Sequence, residues 1–286
     1  MKRLSGLKVA VLFVLLILTG SCAKKEPLKI NDIQFANIQL DTISHLFNDT
    51  TKPGCEFKLN MQYPSSAGDS EMLKKLQSLF IMDYFNEKFS EMSPAEAAHA
   101  YMKEYVSNYM QLENDYTTLS DQVSEGMSFV SFNYQETSES DVSFNAGGFI
   151  SYTVNYYNFT GGAHGMQSCK NYVIDLHTMF QLTLTDLFAD VNLQPVSNLI
   201  IREIAKEKGY EDPTQLNEDG FFSIEEVVPT DNFRIDEKGI TWTYNPYEIA
   251  VYALGIINVS VEWEELKPYL REDSPVADIA DASARK

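Results

Sequence analysis

The chain has 286 residues, of which 44% are hydrophobic and 22% charged, with a formal net charge of −19. That length holds one large domain or two ordinary ones with real cores. The acidity argues against nucleic acid and anionic headgroups as partners and favours a cationic one, although acidity also keeps exported proteins soluble.

The first residues are an address. Lys2, Arg3 and Lys8 precede an apolar run from Val9 to Leu18. Ten helical residues cover about 15 Å, half of a hydrocarbon core of about 30 Å, so the run is a signal segment and not a span. Thr19-Gly20-Ser21-Cys22 follows and resembles a bacterial lipobox. It predicts that residues 1–21 are removed and that Cys22 is acylated, which anchors the protein on the periplasmic or cell-surface side of a bacterial membrane. The alternative is an ordinary signal peptide that leaves Cys22 a free thiol. Cleavage removes three basic residues, leaving 19 basic against 41 acidic and a net charge of −22.

Residues 22–32 are expected to be a polar tether, and 33–155 an N-terminal α+β domain. Ile33 to Ile43 alternates loosely as a strand, and Phe57, Leu59, Met61 and Tyr63 mark one face of a second. Two helices follow, over 71–89 and from Ser93. The second has Ser93 as cap, Pro94 in the first position and Glu96 completing a capping box. Its stripe of Ala98, Tyr101, Met102, Tyr105, Tyr109 and Leu112 predicts packing on a sheet. Strands at 127–134 and 142–144 are expected to flank an acidic Ser/Glu turn, and 149–157 is a long aromatic strand. A C-terminal α+β domain, 156–272, holds strands at 170–176 and 181–184, a helix ending at Gly209, and strands at 233–235, 239–244 and 256–263. Residues 273–286 are expected to be a disordered tail. The order predicts an α+β fold of two subdomains, each an antiparallel sheet with helices on one face.

Cys55 and Cys169 remain once Cys22 is assigned to lipid. An exported compartment permits a bridge between them, worth about 4 kcal/mol in the chain-entropy model. Two buried free thiols are the equal alternative. His45, His99, His164 and His177 have no metal-ligand spacing, and nucleotide, nucleophile-elbow and Cys-x-x-Cys motifs are missing. No metal or cofactor is expected.

The constellation with most character is Tyr156-Tyr157-Asn158-Phe159-Thr160-Gly161-Gly162-Ala163-His164-Gly165. Its glycines imply positive φ or close approach. Tyr156, Tyr157, Gly161, Gly162, His164 and Gly165 form a candidate binding loop. The competing reading is a tight crossover in which His164 bonds nearby backbone.

This stretch, with Asp175-Leu176, Leu182-Thr183-Leu184-Thr185-Asp186-Leu187-Phe188, Asn232-Phe233, Lys238-Gly239-Ile240 and Asn245-Pro246-Tyr247-Glu248-Ile249-Ala250, resembles a family of exported bacterial domains. That family includes the ectodomain of the lysozyme-sensing anti-sigma factor RsiV and the accessory region of the deacetylase PdaC. Met179 and Val251 depart from it, where a glycine and a proline are usual. Only eight residues precede the apolar run, so the anti-sigma plan is not expected to transfer, nor is deacetylation, which belongs to a separate domain. The resemblance implies a non-catalytic envelope binding protein for lysozyme-like cationic proteins. A peptidoglycan- or glycan-binding module is the alternative, and a glycan hydrolase with an undetected carboxylate pair a third.

Overall fold

The computed structural model describes residues 28–122 and 130–283. Cys22 and the signal segment lie outside the described residues. Strands β1 (Gln34–His45) and β2 (Gly54–Ser66) form an antiparallel hairpin. Helices α1 (Ser70–Tyr84), α2 (Pro94–Met110) and α3 (Glu113–Gln122) then cross over to β3 (Tyr134–Ala146), which pairs parallel to β2. Strands β4 (Phe149–Thr160), β5 (Met166–Asp175) and the short β6 (Phe180–Gln181) continue antiparallel, giving a sheet ordered β1 to β6. Helices α4 (Leu184–Leu187) and α5 (Leu193–Lys208) lead into a second, antiparallel sheet of β7 (Phe233–Ile235), β8 (Gly239–Tyr244) and β9 (Ile257–Glu262). Helices α6 (Trp263–Leu266) and α7 (Ala277–Ser283) close the described chain.

Local chemistry explains the clearest elements. The alternation of β2 buries Phe57, Leu59 and Met61 beneath α1 and α2. Helix α2 starts on the expected capping box: Ser93 Oγ accepts from Glu96 N, and Glu96 reaches back to Ser93 N. Helix α5 ends at Gly209, whose φ of 79° is the left-handed C-cap conformation.

The α+β class and the two antiparallel-rich sheets match the sequence reading, but the two units are not divided at 155/156. That point falls inside β4, whose faces serve different cores. Ile150, Tyr152 and Val154 pack with Phe80 and Ile81 of α1, while Phe149 joins Val173, Trp242 and Trp263 on the C-terminal side. Alternation along one strand puts both sets on one backbone.

Other expectations are corrected. The acidic turn is instead the middle of β3, where Glu136, Ser138 and Ser140 all turn inward and are buried. Helix α3 was not foreseen, because its sequence is polar. The tether is docked from Leu28 onward: Ile30 bridges to Ala146, and Asn31 bonds Asn145, Gly148 and Phe149. The tail does not begin disordered at 273, since Val276, Ile279 and Ala280 sit fully in the C-terminal core at helical spacing. Cys55 and Cys169 are free and buried. They lie on β2 and β5, three strand spacings apart or about 14 Å, which a disulfide cannot span.

Candidate functional site

The glycine stretch is the tip of the β4–β5 hairpin, and its groups are largely engaged. Gly161 has φ of 79°, and a Cβ there would come within 1.8 Å of the Ser131 carbonyl oxygen. A Cβ at Gly165 would come within 2.3 Å of the Tyr157 hydroxyl, whereas one at Gly162 would meet only the His164 carbonyl oxygen, at an ordinary contact distance of 3.8 Å. His164 donates from Nδ1 to the Gly165 carbonyl at 2.9 Å, and its ring lies on Tyr252 with centroids 4.3 Å apart. Tyr252 in turn donates its hydroxyl to the same carbonyl at 2.6 Å. These contacts fasten the tip to the C-terminal unit.

The candidate loop is therefore not one surface. Tyr156 and Tyr157 are adjacent in a strand and leave on opposite faces. Tyr157 packs on the hairpin's own Gly165, while Tyr156 passes under α2 and donates to Glu136 Oε2 at 2.7 Å. That bond leads to a site the sequence reading missed.

Between α2 and strands β3 and β4 lies an open recess of about 310 Å³, room for on the order of ten water molecules. Its walls include Tyr101, Tyr105 and Tyr109 from α2, Tyr134 from β3 and Asn158 from β4, with Glu136 among them. The walls are braced: Tyr109 donates to the Phe132 carbonyl at 2.9 Å and packs at a tilt against Tyr134 at 5.4 Å, and Tyr105 packs on Phe57 at 5.4 Å. Glu136 is 2% exposed, and among the described residues nothing hydrogen-bonds its Oε1. The Tyr105 hydroxyl is likewise buried and unpartnered. Burial raises the Glu136 carboxyl above its ordinary pKa, opposed by the hydroxyls of Tyr156 and Tyr101. Burial, and then the Glu136 charge, push the Tyr101 phenol upward. The arrangement is an acceptor oxygen with spare capacity, walled by aromatic rings.

A second buried acid behaves differently. Asp83 of α1 accepts from the Tyr152 hydroxyl, and Tyr152 is sandwiched between Phe80 at 3.9 Å and Tyr172 at 5.0 Å. Burial raises the Asp83 carboxyl to about 6, against the lowering effects of Tyr152 and Lys170. Cys55 sits beside the tyrosine cluster, and burial pushes its thiol up to about 11, which leaves it unreactive. Among the described residues no group of three or more His, Cys, Asp or Glu side chains is placed to hold a metal.

Two other residues of the resemblance, Asn232 and Asn245, join the C-terminal unit to β5. Asn232 accepts from Asn171 N at 2.8 Å and donates to the Cys169 carbonyl at 2.9 Å. Asn245 accepts from Cys169 N at 2.7 Å, so two asparagines take the place of a strand beside β5. Thr183 and Asp186 form a capping box, with Thr183 N donating to Asp186 at 2.7 Å.

The fold thus defines a class: a helix-covered mixed sheet joined to a small antiparallel unit by asparagine bridges. Comparison with known proteins gives that class its relatives. Residues 51–167 match the family described as deacetylase PdaC, and residues 185–264 the family described as a protein of unknown function, DUF3298. The crystal structure of a DUF3298-family member from Bacteroides fragilis superposes with a TM-score of 0.81 at 29% identity, covering 89% of this chain and 99% of its own. A DUF3298-family protein from Pseudomonas aeruginosa shares the fold, with a TM-score of 0.57 at 13% identity over 85% of this chain and 97% of its own. No curated protein matches the sequence. The recess and the hairpin tip both fall within the PdaC-matching segment.

Proposed function

We propose that this protein is a lipid-anchored binding protein of the bacterial envelope, without catalytic activity of its own, whose partner is a cationic protein of the lysozyme type. The observation that carries the reading is where the two ends of β3 lie. Its Ala146 end receives Ile30, the side from which the lipidated Cys22 would arrive. Glu136 is ten residues away along the strand, or about 33 Å, so the recess is presented away from the anchor. The charge of −22 on the mature chain supports a cationic partner, because complementary charge steers encounter.

Calorimetry of the full chain in detergent with lysozyme tests the proposal at low and at moderate salt. Binding that is micromolar or tighter and weakens as salt rises is expected. Salt-independent binding or none would overturn it. Retention on purified cell wall in that second case would make the protein a glycan-binding module instead.

A further inference from the structure

The Glu136 recess has a chemistry that specifies its ligand beyond the class of partner. A carboxylate is seldom buried unless it is paired, because removing it from water costs several kcal/mol. Here one oxygen is held by Tyr156, while the other is buried where Glu136 lines the recess and makes no hydrogen bond among the described residues, with the Tyr101 hydroxyl near the carboxylate. Around it stand the rings of Tyr101, Tyr105, Tyr109 and Tyr134. Aromatic faces attract cations through their quadrupole, and a carboxylate at the floor adds a charge-assisted hydrogen bond. The neighbouring Lys88 does not serve this purpose, since it pairs with Glu104 on the rim at 2.5 Å and lies over the Phe89 ring.

We infer that the recess between α2 and strands β3–β4 is a cation-binding subsite that takes a side-chain ammonium group, which donates to Glu136 Oε1 and is enclosed by the tyrosines. The inference rests on the binding-protein reading above and names the group of the partner that enters. The same ammonium chemistry is offered by a lysine of a protein and by the free amines of cell-wall peptides, and the test separates these sources.

The experiment titrates the full chain, purified in detergent, with N-acetyl-lysine methylamide, with N-acetylglucosamine and with lysozyme. Wild type is compared with Glu136→Gln, which keeps the shape and the Tyr156 bond but removes the charge. Asn158→Lys places an ammonium in the recess from its own wall, and so tests the site even where Glu136→Gln fails to fold. The lysine analogue is expected to bind wild type weakly and saturably, and to lose about tenfold or more in affinity in both variants. An analogue that does not bind, that binds both variants as well as wild type, or that is outcompeted by N-acetylglucosamine at the same site would overturn the inference. Lysozyme that binds wild type and both variants alike leaves the envelope-binder reading standing while the recess assignment falls. An analogue that binds through Glu136 while lysozyme does not bind supports the ammonium site, overturns the protein partner and points to cell-wall amines.

Discussion

The hairpin tip and the α2 recess are both rich in tyrosine, and β4 supplies a residue to each, yet their energetics run in opposite directions. At the tip the polar groups close on one another: His164, Gly165 and Tyr252 form a local set, and Gly161 is required by the close approach of the Ser131 backbone. In the recess a buried carboxylate oxygen and a buried phenol are left with spare bonding capacity. A conspicuous motif made of satisfied groups holds the fold, whereas an inconspicuous stretch that leaves a buried charge half-bonded is where a ligand is wanted. The contrast can be broken experimentally.

The largest expected effect is at the tip. Gly161→Ala forces a Cβ into the Ser131 carbonyl at a positive φ and should destabilise the protein by about 3 kcal/mol, read from denaturant midpoints. Gly162→Ala, one residue on and meeting nothing closer than 3.8 Å, should stay within about 0.5 kcal/mol. Equal effects would mean that the tip is not built as described.

Next comes pH. The folded Asp83 carboxyl titrates near 6, above its ordinary value of 3.8, so the folded state holds a proton that the unfolded state has released between those values. Stability from this group is therefore present at low pH and lost as pH rises from about 4 to about 6. Asp83→Asn keeps an acceptor for Tyr152 and should abolish that loss, gaining on the order of 2 kcal/mol over wild type across the window. Parallel pH curves for the two proteins would refute it.

The smallest effect is expected in the turn after β5. Met179 has φ of 60°, in a loop where Asp175 accepts from His177 N and Thr178 Oγ1. Met179→Gly should relieve the left-handed strain and stabilise by about 0.5 to 1 kcal/mol in thermal unfolding.

Much of the architecture was legible because its signals are local. The capping box at Ser93, the alternation of β2 and the glycine stop at 209 each need only a few residues to be read. Met179 stands where the resemblance implies a glycine, and its positive φ gives the physical reason. Val251 stands where the resemblance implies a proline: its φ of −62° would suit proline, but its N–H donates to the Gly220 carbonyl at 2.9 Å, a bond proline would lose. The recess was illegible for the opposite reason. Glu136-Thr137-Ser138-Glu139-Ser140 has the composition of a solvated turn, and only the parallel pairing of β3 beside β2 turns its alternate residues inward under α2. The tyrosine stripe of α2 was recognised as sheet-packing, but not the carboxylate beneath it. The docked tail escaped because three small apolar residues are outvoted by their polar neighbours.

The parallel β2–β3 pair also sets an order of assembly. Strands β3, β4 and β5 are joined by short turns and can pair as soon as they are made. The β1–β2 hairpin leaves the ribosome earlier, but its partner on the other side lies beyond residues 67–133, and the register from Cys55–Tyr134 to Asn60–Glu139 waits on the three-helix crossover. Until β3 arrives, β2 therefore keeps an unpaired edge with Phe57, Leu59 and Met61 exposed on one face, the kind of segment that recruits foreign strands. The time spent in that state is governed by how fast the three-helix crossover brings β3 alongside, so the segment that carries the recess-lining α2 also sets how long that edge stays open.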